Sequence, residues 1–102
     1  MVTSSGNTIV VGNEKATLDD KSVFAAKLST LLADGHTVIN IDFGKTSYLP
    51  SEMMGLLMWK KKELKTKGIE LRIVRISGTL RNFFDNMQIS RFFELESAET
   101  VD

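Results

Sequence analysis

The stretch TVINIDFGKTSYLPSEMMGLLMW, residues 37–59, joins a strand pattern, a polar loop and a helix pattern in direct succession. Its strand is marked by Ile39, Ile41 and Phe43, which alternate with side chains of the opposite face and therefore share one side of a sheet. The loop over residues 44–50 contains the single proline of the chain. A half-buried strand that leads through a loop into a helix is a building unit of α/β domains.

The helix at the end of this stretch is apolar on nearly every side, since six of the seven residues over 53–59 are large and apolar. One inward stripe is formed by Met53, Leu56, Leu57 and Leu64. Met54 and Met58 then lie on a second face, and Trp59 on a third. We expect these three side chains to be at least partly exposed, unless a neighbouring helix or the preceding loop covers them. Exposed apolar patches often mark contact sites, and methionine adapts well to a partner.

Strand and helix patterns alternate along the rest of the chain. Strands are predicted over residues 8–12, 15–18, 37–43, 69–76 and 91–95. Helices are predicted from Asp19 or Asp20 to Gly35, from Pro50 to about Thr66, and from Ser77 onward, and residues 96–102 are expected to begin a further helix.

The helix patterns are one-sided. The inward face of the first helix is predicted to consist of Phe24, Leu28, Leu31 and Leu32. The inward face of the third helix is predicted to consist of Leu80, Phe83, Phe84 and Met87. Residues 1–7 are expected to be a loose lead-in. These elements predict one α/β domain over residues 1–102, with a central mixed sheet of four to five strands covered by three to four helices.

Composition argues against several classes of protein. Lysine plus arginine and aspartate plus glutamate are balanced at 13 each, so no overall charge favours nucleic acid or an anionic membrane. The chain has no cysteine, and no apolar run approaches the roughly 18–20 residues of a membrane span. The first residues lack the charged and apolar regions of a signal peptide. A cytoplasmic location without membrane contact is therefore expected.

No pattern of catalytic or metal-binding residues is present. The single histidine, His36, follows Gly35 in a turn and lacks the partners that base catalysis or metal binding requires. Neither GxxxxGK[ST] nor GxGxxG occurs. The five lysines over residues 60–67 lie late on a helix, where cations offset the negative end of the helix dipole. We therefore expect no enzyme activity, no cofactor, no metal and no nucleic acid partner.

The start of the second helix has a distinct chemistry. Ser51 and Glu52 lie where unpaired N–H groups point outward, so that negative charge is stabilised there by roughly 0.3–1 kcal/mol. Glu52 supplies one permanent negative charge, and a phosphate on Ser51 would supply about −1.5 to −2. Pro50 has no side-chain acceptor, so the hydroxyl of Ser51, Thr46 or Ser47 is expected to cap the helix.

Four stretches of the chain together resemble the STAS domain, the family named for sulfate transporters and anti-sigma factor antagonists. ATLD, residues 16–19, is similar to the G-x-L-D entry of the family into its first helix. VINIDFGKTSYLPSEMMGLL resembles the central strand, loop and helix start. KTKGIELRIVRISGTLRNFFD resembles the next strand and the third helix of the family, and ISRFFELE resembles its final strand. The resemblance covers residues 8–96.

This resemblance implies a non-enzymatic protein-binding module of a signalling pathway that regulates transcription. In the soluble bacterial branch of the family, the domain binds a kinase that is also an anti-sigma factor. That kinase phosphorylates a serine at the start of the second helix, and phosphorylation breaks the complex. The dephosphorylated domain then sequesters the kinase and releases the sigma factor, which is partner switching.

The sequence departs from the family pattern at that helix start. The aspartate of the family falls on Pro50, its first serine on Ser51 and the usual phosphoserine on Glu52. Three interpretations follow: Glu52 imitates the phosphorylated state permanently, Ser51 is the acceptor one residue early, or the switch is lost and binding is constitutive. Glutamate has about half the charge of phosphoserine and lacks its three oxygens, which favours the last interpretation.

The expected contact surface combines residues from matching positions with residues from the exposure argument. The first group is Asp19, Pro50, Ser51 and Glu52, and the second is Met54 and Met58. The expected partner is an anti-sigma factor or serine kinase. Two alternatives involve no sigma factor: sensing of a small ligand in a pocket of the fold, and formation of a homo-oligomer through the methionine-rich helix.

Overall fold

The computed structural model describes residues 1–102 and contains five strands and three helices. In chain order the elements are β1 (Val2–Ser5), β2 (Thr8–Val11), α1 (Leu18–Ala33), β3 (Val38–Phe43), α2 (Ser51–Thr66), β4 (Glu70–Ser77), α3 (Gly78–Asn86), a 3₁₀ turn (Leu95–Ser97) and β5 (Glu99–Val101). The strands lie in the order β1-β2-β3-β4-β5. β1 is antiparallel to β2, and the other neighbours are parallel. The predicted α/β class with a mixed sheet is confirmed.

All three helices lie on one face of the sheet. From β2 to β5 each crossover moves one strand in the same direction, and right-handed crossovers then place every connecting helix on the same side. The strand residues on that side are buried: Ile9, Val11, Ile39, Ile41, Phe43, Leu71, Ile73 and Ile76. The opposite face carries half-buried and exposed side chains and has no covering helix. The single core therefore lies between the sheet and its helices.

A bulge in β4 adjusts the register against β3. Ile41 is opposite Ile73, but Asp42 is opposite Arg75, so that Val74 is the extra residue. The bulge lets Arg75 reach Asp42 on the uncovered face, with 3.2 Å between the guanidinium and the carboxylate. It also keeps Ile76, the residue after Arg75, on the buried face. One inserted residue thus preserves the core while it forms an ion pair on the uncovered face.

The N-terminal residues are ordered as a strand, and the expectation of a loose lead-in over residues 1–7 is wrong. β1 pairs with β2 along its whole length. Gly6, with φ 59, turns the chain between the two strands. The Asn7 side chain donates to the Val38 carbonyl at 2.8 Å, which ties the turn to β3. Backbone pairing, rather than apolar alternation, makes this polar segment a strand.

The C-terminal prediction is also wrong. Residues 91–94 form turns, in which Glu94 adopts a left-handed conformation with φ 56, and Leu95 begins the 3₁₀ turn. Phe93 and Leu95 are both buried, so their two-residue spacing imitates a strand. The residues expected to begin a helix instead form the 3₁₀ turn and β5. Residues 15–18 likewise form no strand, because only Lys15 bridges to Tyr48 before α1 begins.

The helix boundaries and inward faces are predicted more accurately. In α1, Phe24, Leu28 and Leu31 are buried as expected, and Gly35 follows the helix with φ 88. The first helix is capped by Thr17 rather than by Asp19 or Asp20. Ser77 caps α3 as predicted. For the third helix, Leu80 and Phe84 are buried as predicted, but the prediction is wrong for Phe83 and for Met87, which directly follows α3, because both are exposed.

Candidate functional site

The carboxyl ends of the parallel strands bring the starts of α1 and α2 together. The loop over residues 44–50 runs beside the segment that enters α1. The Ala16 N–H donates to the Tyr48 carbonyl at 3.0 Å, and the Ser47 and Tyr48 N–H groups donate to the Glu14 carbonyl at 2.8 and 3.2 Å. Ligands of open α/β sheets usually bind at this end of the strands. We call the exposed and half-buried residues here the helix-start surface: Leu18, Asp19, Tyr48, Pro50, Ser51 and Glu52.

Two hydroxyl groups anchor the loop that leads into α2. Thr46 is completely buried, and its hydroxyl donates to the Val11 carbonyl at 3.0 Å. The Ser77 hydroxyl donates to the Thr46 carbonyl at 2.6 Å and accepts from the Leu80 N–H at 3.1 Å. Ser77 therefore caps α3 and holds the loop with one oxygen. The position of the α2 start is set by bonds from β2 and β4.

The first turn of α2 has no side-chain cap. Pro50 is the N-cap residue, with φ −68 and ψ 153, and its carbonyl accepts from the Met53 and Met54 N–H groups, both at 3.0 Å. The N–H groups of Ser51 and Glu52 have no acceptor within the chain. Two donors and the positive end of the helix dipole consequently face outward.

The expectation of a hydroxyl cap on α2 is wrong because every candidate hydroxyl is elsewhere. The Thr46 hydroxyl bonds to the Val11 carbonyl, and the Ser47 hydroxyl donates to the Glu14 carbonyl at 3.2 Å. Ser51 is the first residue of the helix itself, so it follows the cap position. Proline suits this place, because its ring fixes φ and its missing N–H is not needed there.

The start of α1 is closed by a complete capping box. The Thr17 hydroxyl accepts from the Asp20 N–H at 3.1 Å, and the Asp20 carboxylate accepts from the Thr17 N–H at 2.9 Å. The Asn13 side chain donates to the same carboxylate at 2.7 Å. Burial by itself raises the pKa of Asp20, but the hydrogen bonds from Thr17 and Asn13 outweigh it and hold the pKa below its usual 3.8. The two helix starts therefore differ, one satisfied internally and one open.

Two apolar side chains in the helix-start surface were not predicted. Leu18 and Tyr48 are 55% and 54% exposed, beside the exposed acidic residues Asp19 and Glu52. Leu18 does not fit the spacing of the buried stripe of α1, and this mismatch is a signal that sequence reasoning could have used. The exposure of Tyr48 depends on the path of its loop and had no such signal.

The expected exposure of Met54 is wrong. Met54 is only 8% exposed and belongs to the core, whereas Met58 is half-buried and Trp59 is 62% exposed, as expected. The physical reason is that α2 packs against α1 as well as against β4, so more than one stripe of the helix is covered. Met54 is thus part of the support beneath the helix start.

Two surface cavities lie elsewhere, along the outer side of β4. The larger, of about 280 Å³, is lined by Lys61, Lys65, Gly68, Ile69, Glu70, Leu71 and Glu94. The second, of about 240 Å³, is bordered by Arg72 and Ser97 among others. No group of three or more histidine, cysteine, aspartate or glutamate side chains is arranged to hold a metal ion. None of the helices is long and apolar enough to cross a membrane.

Comparison with known proteins agrees with the architecture. Residues 3–102 match the family model described as STAS domain. No curated protein matches the chain. The match begins at β1 and ends at the last residue, so it includes every element from which the helix-start surface is built.

Proposed function

We propose that this chain, which belongs to the STAS family, is a protein-binding module in the manner of an anti-sigma factor antagonist. Membership of this family supports a general regulatory or binding role. The partner contacts the helix-start surface, and its expected chemistry is that of a serine kinase that is also an anti-sigma factor. The observation that carries this proposal is the open first turn of α2, with Ser51 and Glu52 exposed beside Tyr48 and Leu18.

The composition of the helix-start surface suits protein recognition. Its two large apolar side chains, Leu18 and Tyr48, can lose water on contact, which is the main favourable term in protein association. Its carboxylates, Asp19 and Glu52, supply charge that selects a basic patch on the partner. The free N–H groups of Ser51 and Glu52 add two donors for backbone or carboxylate oxygens of the partner.

We further propose that the module is not switched by phosphorylation at the usual position. In the motif match Glu52 falls on the position of the family's acceptor serine, and a carboxylate does not accept a phosphoryl group there as a hydroxyl does. The anchoring of the loop by Thr46 and Ser77 supports a fixed helix start. Ser51 is exposed at the first helical position and remains the alternative acceptor.

The proposal is tested by affinity capture with matched charge reversals. Wild-type protein, Glu52→Lys and Glu96→Lys are used as baits in extract of the native host, and retained proteins are identified by mass spectrometry. Glu96 is also exposed but lies on the 3₁₀ turn, outside the helix-start surface. The wild type and Glu96→Lys should retain the same ATP-binding partner, and Glu52→Lys should lose it. Equal retention by all three baits would place the contact elsewhere.

Phosphorylation is tested with the captured kinase and ATP, followed by intact mass. We expect no added phosphate on the wild type. A control variant, Glu52→Ser, restores a hydroxyl at the usual position and should gain one phosphate if the kinase belongs to this class. Modification of the wild type that Ser51→Ala abolishes would instead show that Ser51 has taken over as acceptor.

A further inference from the structure

The two edges of the sheet are protected to different degrees. β5 pairs only with residues 75–77 of β4. Along the part of β4 that β5 leaves open, Lys61 donates to the Leu71 carbonyl at 2.8 Å, and Glu70 and Arg72 form an ion pair. Lysine and other charged side chains at an edge are a common way in which proteins prevent sheet-to-sheet association. β1 itself carries no charged side chain, because residues 1–13 contain none, and the N-terminal ammonium group of Met1 before the strand donates to the Asn13 side chain.

The backbone of β1 presents a regular set of free hydrogen-bonding groups. In its antiparallel pairing with β2, Gly12 donates to the Met1 carbonyl at 2.7 Å, and Thr3 is opposite Val10. Because hydrogen-bonded and non-hydrogen-bonded pairs alternate, Met1 and Thr3 point their backbone groups toward β2. Val2 and Ser4 therefore direct their N–H and C=O groups away from the sheet. This edge offers two donors and two acceptors.

These groups are self-complementary about a two-fold axis. If β1 of a second copy lies antiparallel with Thr3 opposite Thr3, then Val2 of each chain is opposite Ser4 of the other. Each Val2–Ser4 pair exchanges two hydrogen bonds, so four bonds join the copies. The two Thr3 side chains meet on the uncovered face, where they are exposed in the single chain. Such an isologous contact is the usual form of a protein dimer.

The helix beside β1, α1, carries too few charged side chains to repel a second copy at this edge. α1 packs against β1 and β2, and between residues 22 and 33 it carries one charged side chain, Lys27. An outer helix of a monomeric protein more often has a charged exposed face, as α2 has with its lysines. Two copies can thus approach at this edge without strong repulsion between like charges.

We propose that the β1 edge is a homodimer interface, in which two sheets join through β1 into one continuous sheet. This interface lies on a different part of the molecule from the methionine-rich helix, whose Met54 is buried. It is independent of the proposed function. The occupant is a second copy rather than another protein, because the free groups of Val2 and Ser4 pair with themselves about a two-fold axis. The helix beside the strand also carries only one charged side chain, Lys27, between residues 22 and 33.

The test uses charge at the two-fold axis. Sedimentation from micromolar to millimolar concentration should show the wild type approaching twice its monomer mass. Thr3→Lys and Thr3→Glu should each remain monomeric, since like charges directly opposite each other in a strand pair are unfavourable. An equimolar mixture of the two variants should associate again, because the introduced lysine of one chain then faces the introduced glutamate of the other.

Two control variants show whether association depends on the β1 edge itself. Thr79→Lys adds the same charge at an exposed residue of α3 and should leave dimerisation unchanged. Ser4→Pro removes an outward N–H that the β1–β2 ladder does not use, so it should abolish the dimer while the circular dichroism spectrum is retained. A wild type that is monomeric throughout, or a dimer that Thr3→Lys leaves intact, overturns the proposal.

Discussion

Ser77 should contribute more to stability than an ordinary surface serine, because one hydroxyl serves two elements. In Ser77→Ala the α3 helix loses its cap, which costs about 1 kcal/mol, and the Thr46 carbonyl loses a donor at 2.6 Å, which costs about 1 kcal/mol more. The expected loss is about 2 kcal/mol in the free energy of unfolding. For a domain of this size, that corresponds to a fall of roughly 8–16 °C in Tm.

The assay is urea unfolding followed by circular dichroism, with linear extrapolation to water. Ser77→Thr keeps the hydroxyl and should stay within about 0.5 kcal/mol of the wild type. Ser97→Ala removes a solvent-exposed hydroxyl and should change stability by less than about 0.5 kcal/mol. A loss in Ser77→Ala no larger than that in Ser97→Ala would refute the anchoring role of Ser77.

Two further predictions concern the starts and faces of the helices. The pKa of Asp20 in the folded protein is lower than its usual 3.8, so the ionised carboxylate stabilises the folded state fully above about pH 3.8. This stabilisation is lost as the pH falls through the lower pKa of the folded state. Asp20→Asn should therefore be less stable than the wild type near neutral pH, and urea midpoints of the two proteins should converge in acid; a constant difference would argue against this linkage. Met54→Ala should cost about 2–5 kcal/mol because Met54 is buried, whereas Trp59→Ala should cost less than about 0.5 kcal/mol. Equal losses, measured by the same urea assay, would contradict the placement of these two side chains.

The central sheet and its helices could be predicted because apolar periodicity reports burial directly. Ile39, Ile41 and Phe43 are all buried in β3, and the stripe that begins with Phe24 is buried in α1. Glycine was informative where it takes a positive φ, as Gly35 does after α1. These signals are local, so they survive without knowledge of the neighbouring elements.

The edges of the sheet could not be predicted because their strands depend on what lies beside them. β1 is polar, and only its pairing with β2 makes it a strand. Phe93 and Leu95 have the spacing of a strand but are buried from turns, and the C-terminal strand β5 has one half-buried residue in three. In these segments the pairing partner decides the structure, and a single sequence does not show it.

Only part of the candidate site could be predicted from the sequence, because the exposure of its side chains also depends on neighbouring elements. Matching of the motif placed Asp19 and the residues from Pro50 to Glu52 near one another, and the structure brings them together at the carboxyl ends of the strands. The exposed side chains of Leu18 and Tyr48 were not predicted, and Met54 was expected to be exposed but is buried. Exposure of an apolar side chain depends on which elements cover it, and periodicity alone gave no account of the packing of α1 on α2.

The central claim is that a partner protein docks on the helix-start surface, and amide chemical-shift mapping of the ¹⁵N-labelled domain tests it most directly. During titration with the captured partner, the largest changes should occur at the amides of Asp19, Tyr48, Ser51 and Glu52. The amides of β1 and of the 3₁₀ turn should change little. Changes centred on the cavities beside β4, with the amides of Ser51 and Glu52 unaltered, would contradict the account.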